Sequence, residues 1–272
     1  MIILHCGIKF SMKKITAFIF ISICILFVSC VDVEEKIFIG ADNSGTYTMV
    51  MDMGKLIEMM KSFKPGETDK LNQLKDTTIL FKDLLAKDGA EFTAEEKAML
   101  ERGKMSIYAD ADKDEMTITT FLPFNNMEQL AWIKLHSGEI FKKLKPNKSL
   151  LQGEDDMQIG GEDIATGDMP IGINPSQSAY TFKTENSRIS NSLTDKSKIS
   201  GLMNDSSMQM IRSMTMMMGD MTYRTTFILP QPVKEYKGND IEISDDKKTI
   251  TFINSFTEMF EHPEYFEYSL NW

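Results

Sequence analysis

Cysteine is nearly absent from this chain, and its placement excludes much chemistry. Of three cysteines, Cys6 and Cys24 lie near the start and Cys30 closes an apolar run. Nothing beyond Cys30 carries a thiol, so the body can form no internal disulfide, zinc-thiolate centre or thiol nucleophile. Histidine is almost as scarce, with only His136 and His262 beyond Cys30. Neither has a serine or cysteine nucleophile motif nearby. No H-E-x-x-H, G-x-S-x-G or phosphate-binding glycine loop occurs, so both histidines read as structural. Long apolar runs are missing as well. Ile15 to Val28 spans 14 residues, whereas crossing a bilayer takes about 20.

Positive charge is the next deficit. The chain has 30 basic and 40 acidic residues. Residues 1–29 contain Lys9, Lys13 and Lys14 and no acid, so the remainder holds 27 basic against 40 acidic residues, net −13. An acidic surface without a basic cluster does not suit a phosphate backbone, and nucleic acid is excluded as an expected partner.

What is present begins with Met12–Cys30, MKKITAFIFISICILFVSC. Two lysines, an apolar block and a terminal small residue are the parts of a secretory signal peptide. Residues 1–11 read as an upstream start extension. Leu26-Phe27-Val28-Ser29-Cys30 resembles the lipobox of bacterial lipoproteins, with Phe27 where that family more often has Leu, Ala or Val. The resemblance implies cleavage before Cys30, acylation of that cysteine with chains such as palmitate, and attachment to a cell-envelope membrane. Val31, rather than aspartate, follows Cys30, which in such lipoproteins is compatible with the outer membrane. Asp32, Glu34 and Glu35 resemble the acidic surface-export signals of Bacteroidota lipoproteins. The periplasmic or surface face stays open.

The body then divides by composition. Residues 30–36 read as a lipidated acidic tether, 37–145 as a first α+β lobe, 146–178 as a Gly/Asp-rich linker or loop, and 179–272 as a second α+β lobe. Lys36–Gly40 and Thr46–Met53 alternate around Asp42-Asn43-Ser44-Gly45, which predicts a hairpin. Met105–Ala111 with Glu115–Leu122, and Ile241–Ile243 with Thr249–Ile253, predict two more. The spacing of Leu71, Leu74, Thr78, Phe81, Leu84 and Leu85 predicts a helix over 70–87. Thr93 and Glu96 form a capping-box pattern, and Met127 to Leu135 predicts a helix resumed after Ser137-Gly138. A further helix is predicted over 206–218 and a strand over 222–229. The expected fold is α+β: antiparallel β-hairpins forming one or two sheets, with amphipathic helices packed on one face.

The chain is rich in methionine, with 22. Met210, Met214, Met217 and Met221 step by four, three and four, as a core stripe does, although soft sulfur also suits copper(I). With no histidine or cysteine nearby they read as core, and no metal or cofactor is expected. Asp110, Asp112 and Asp114 open like a calcium loop, but Glu115 and Phe121 occupy the positions that need Gly and Glu. They read as a hairpin turn.

Three functions remain open. A lipid-anchored binding or scaffolding protein needs only the anchor and a surface, its partners being the membrane and an envelope protein. A carrier or sensor of an apolar ligand would use a Met-lined pocket. An envelope hydrolase would need a cleft of converging polar groups, and no residue nominates itself, so a non-enzymatic role is expected. The hairpin-rich, Met-rich body resembles the envelope lipoproteins common in Bacteroidota. Tyr223–Phe252, with its strand, proline, Gly-Asn turn and two further strands, resembles the tail of LppM-type lipoprotein domains.

Overall fold

A computed structural model describes residues 32–63, 76–88, 91–143, 179–185, 187–202, 215 and 219–272. The segment read as a signal peptide, residues 146–178 and the predicted helix at 206–218 lie outside these, Thr215 alone excepted.

The fold is α+β and mostly sheet. One mixed sheet has eight strands, in the order β10-β11-β8-β1-β2-β5-β4-β3, and a second, antiparallel sheet has four, β6-β7-β12-β9. In chain order these strands are β1 Asp32–Ile39, β2 Gly45–Asp52, β3 Thr77–Leu80, β4 Lys104–Asp110, β5 Glu115–Phe124, β6 Tyr180–Glu185 and β7 Arg188–Leu193. They continue with β8 Thr222–Ile228, β9 Glu235–Lys237, β10 Ile241–Ile243, β11 Thr249–Ser255 and β12 Tyr268–Asn271. The helices are α1 Gly54–Phe63, α2 Phe81–Asp88, α3 Ala94–Leu100, α4 Met127–Lys143, α5 Lys196–Leu202 and α6 Phe256–Glu261.

Period-two alternation decides which face of the large sheet is covered. Val33, Ile37 and Ile39 of β1 are buried, as are Tyr47, Met49 and Met51 of β2, and Ile118, Leu122 and Phe124 of β5. Their neighbours Lys36, Phe38, Thr48 and Thr119 sit on the opposite, open face. The covered face has two kinds of lid. Toward β3, helices supply it: Ile57, Phe81, Leu84, Met99 and Leu100 join the core, and α4 adds Leu130, Ile133 and Ile140. Toward β10, the second sheet supplies it, with Tyr268 stacked on Phe252 at 4.7 Å and edge-on to Phe227 at 5.7 Å.

The two predicted lobes share the large sheet. β1 pairs in parallel with β8, Glu35 beside Thr225 and Ile37 beside Phe227, and antiparallel with β2. This parallel pair lies between antiparallel hairpins of the kind expected from sequence. It arises because β1 and β8 lie on either side of a long connection and not within one hairpin.

Three expectations are corrected. The acidic stretch read as a tether is strand from Asp32 onward, because Asp32 and Glu34 alternate outward while Val33 and Glu35 turn in. The helix expected over 70–87 is wrong at its centre. Residues 70–75 lie outside the described residues, Thr77–Leu80 pairs with Lys104–Ile107 as an edge strand, and α2 follows it from Phe81. Two adjacent threonines and an isoleucine fit a pleated edge better than a helix interior. No break occurs at Ser137-Gly138, and α4 runs through it. The chain closes with β12 from Tyr268, after a 3-10 turn over Pro263–Phe266.

Candidate functional site

On the covered face, one row across the sheet reads Thr120, Met49, Glu35, Thr225 and Phe252. Glu35 therefore occupies the middle of the central strand, among residues that are otherwise apolar or hydroxylated. Its side chain is 0% exposed. A carboxylate there stays ionised only if its oxygens are matched.

Helix α4 provides the match. Its buried positions Leu130, Ile133, Lys134 and Ser137 fall at the spacing of one helix face. Lys134, 4% exposed, donates from Nζ to Glu35 Oε2 in an ion pair. Tyr47 donates its hydroxyl to Glu35 Oε1 at 2.7 Å, and Thr225 donates to Oε2 at 3.3 Å. The ammonium also stands 5.7 Å from the ring centroid of Phe182, on β6 of the second sheet. The cluster thus marks the point where large sheet, helix and small sheet meet.

Three phenols surround the carboxylate. Burial first, then the Glu35 charge and the hydrogen bond to it, hold Tyr47 well above the ordinary tyrosine range, while a hydrogen bond with Ser137 opposes the rise. Burial and the same charge raise Tyr223 and Tyr268. A hydrogen bond to Glu35 contributes to the rise at Tyr223, whereas the Tyr268 hydroxyl and Oδ1 of Asn191 find no hydrogen-bond partner among the described residues. The three phenols stay protonated at neutral pH and, with the ion pair, form a buried polar cluster whose carboxylate and ammonium are already satisfied by each other.

The residues singled out from sequence lie elsewhere. His136 stacks on Trp132 at 4.8 Å, with Nδ1 2.9 Å from the Trp132 carbonyl. His262 is exposed, stacks on Tyr265 at 4.9 Å and lies 3.5 Å from Glu264. Asp110 and Asp114 flank the β4–β5 turn, paired with Lys113 at 2.8 Å and Lys61 at 2.5 Å. Among the described residues no three His, Cys, Asp or Glu side chains gather as metal ligands. Of the methionine stripe, Met221 is half-buried against the core, while Met210, Met214 and Met217 lie outside the described residues, as does Cys30.

Sequence reasoning missed both Glu35 and Lys134. Each had a signal. Glu35 sits at an inward position of the alternating run Val33-x-Glu35-x-Ile37-x-Ile39, and Lys134 interrupts the apolar face of α4. A lone charge on an apolar stripe is a candidate for burial when an opposite charge can reach it, but sequence does not say which one will.

No family model matches the chain, and no curated protein matches it. Among solved structures, the NMR structure of the folded domain of the Mycobacterium tuberculosis LppM protein is similar over 89% of this chain and 90% of that one, with 7% identity and a TM-score of 0.37. No statement about function rests on a likeness of that degree.

Proposed function

We propose that this chain is a lipid-anchored protein of the bacterial cell envelope, acting by binding or scaffolding and attached to the outer membrane through acyl chains on Cys30. The observation that carries the reading is the run Met12–Cys30 with its lipobox-like end, followed two residues later by the first strand of the fold. A folded body starting directly after an acylated cysteine needs no separate domain to hold it at a membrane. The catalytic alternative is disfavoured because, among the described residues, the cluster of raised phenols and opposed charges at Glu35 is buried, with its acid and base engaged. The apolar-carrier alternative is disfavoured because Met49, Met51, Met53, Met105 and Met116 pack into the core.

Mass spectrometry of the mature chain tests the anchor. Wild-type protein should begin at Cys30 and carry acyl mass, and Cys30→Ser should remain uncleaved and unacylated. An unmodified Cys30 in the mature protein overturns the proposal. Affinity capture from membranes, with identification of co-purifying proteins and lipids, then separates scaffold from carrier. Protease treatment of intact cells decides between the surface and the periplasmic face.

A further inference from the structure

Two facing rows of side chains close the interior where the sheets meet. Across the inward face of the small sheet, the register sets Phe182, Asn191 and Tyr268 side by side on β6, β7 and β12. Across the covered face of the large sheet it sets Glu35, Thr225 and Phe252 side by side on β1, β8 and β11. The rows lie over one another at both ends: Phe182 meets the Lys134 ammonium that holds Glu35, and Tyr268 stacks on Phe252. Asn191 and Thr225 are therefore opposed at the middle, 4% and 2% exposed. Packed sheets stand about 10 Å apart. Long side chains bridge that distance at either end of the rows, whereas two short ones leave space between them.

We propose that this middle position binds an internal water molecule, which accepts from the Tyr268 hydroxyl and donates to Oδ1 of Asn191. The polar atoms point to it. Asn191 is oriented by its Nδ2, which donates to the Phe266 carbonyl at 2.9 Å, so Oδ1 is left as an acceptor. Tyr268 brings a donor from the neighbouring register position, and burial beside the Glu35 charge keeps that hydroxyl protonated. Neither atom has a hydrogen-bond partner among the described residues, although both side chains are buried. A buried donor and a buried acceptor are costly to leave unmatched. The surroundings select what can match them. A cation would meet Lys134, an anion would meet Glu35, and an apolar molecule would satisfy neither atom. A small neutral molecule that both accepts and donates satisfies the two together, and water is the one that fits between short side chains. It completes the polar cluster between the sheets without adding a charge.

A high-resolution crystal structure of the purified protein is the direct test. Density for a water within hydrogen-bond distance of both Tyr268 Oη and Asn191 Oδ1 is expected, and a dry contact, or bonding of the two atoms to each other, overturns the proposal. Oxygen-17 relaxation dispersion, which detects long-lived internal waters, asks the same in solution. Asn191→Leu removes the acceptor and fills the space, so the dispersion amplitude should fall by the share of about one water. An unchanged amplitude in the folded variant counts against the site. Tyr268→Phe gives a third reading through its sign. Deleting a bridged hydroxyl should shift the urea midpoint down, whereas deleting an unmatched one should shift it up, and an upward shift overturns the proposal. Should Asn191→Leu fail to fold, the crystal structure and Tyr268→Phe still decide.

Discussion

Glu35 occupies an inward position on the fourth of eight strands, where isoleucine or leucine would satisfy the alternation. Its retention with Lys134 is weak evidence for stability, since an apolar pair of similar volume can do as well. Breaking the pair is another matter, because a buried charge is then left alone. Glu35→Gln and Lys134→Met should each cost about 3–5 kcal/mol in urea unfolding, whereas Glu35→Leu with Lys134→Met should recover most of that loss. A double variant as unstable as the sum of the singles would show that other groups depend on the charges. The phenols give a second expectation. Folded-state values raised above the ordinary value near 10 mean that stability is fully present below pH 10 and falls as pH rises beyond it. Phenolate absorbance from Tyr47, Tyr223 and Tyr268 should therefore appear only together with loss of the fold. Ionisation of all seven tyrosines before unfolding would contradict the buried cluster.

At the scale of elements, local chemistry predicted what local chemistry controls. The Thr93 capping box forms as its sequence suggests, and Ser255 with Glu258 builds a second at the start of α6. Asp220 joins that cap, accepting from the Thr257 amide at 3.1 Å and hydroxyl at 2.9 Å. The hairpin between β1 and β2 also follows from its turn residues. Gly45 is required there by close approach, since a Cβ would lie 1.9 Å from the Phe38 carbonyl oxygen and 2.6 Å from the Phe124 ring. Gly45→Ala should destabilise the fold by at least about 1–3 kcal/mol, measured by thermal or urea unfolding. β3 is the counter-example. Thr77–Leu80 follows helical spacing in the sequence, yet an unsatisfied edge of β4 offers it backbone hydrogen bonds that a helix of its own would not outweigh.

For the whole molecule, the decisive contact is β1 against β8, which joins the two halves of the chain within one sheet. A fragment ending at Lys143 would leave the long edge of β1 unpaired, and such an edge invites aggregation. A chain cut once between Lys143 and Ala179 should behave differently, because the pairing spans the cut. The two pieces should co-elute in size-exclusion chromatography with the spectrum of the intact protein and separate only in denaturant. Separation under native conditions would mean that the halves fold as independent lobes.

Local sequence was sufficient for the hairpins, the caps and the α+β class, because turn residues and alternation act within a few residues of chain. The proposal of Cys30 as a lipidation site rests on linear order alone, as the reading of a signal-like segment does. The partner of β1, the burial of Glu35 and the approach of Lys134 depended on packing between elements about a hundred or more residues apart. A charged side chain in an alternating strand has the same sequence signature whether it faces water or a buried ammonium. Only when α4 settles on the sheet does Coulomb attraction in a dry interior choose between them.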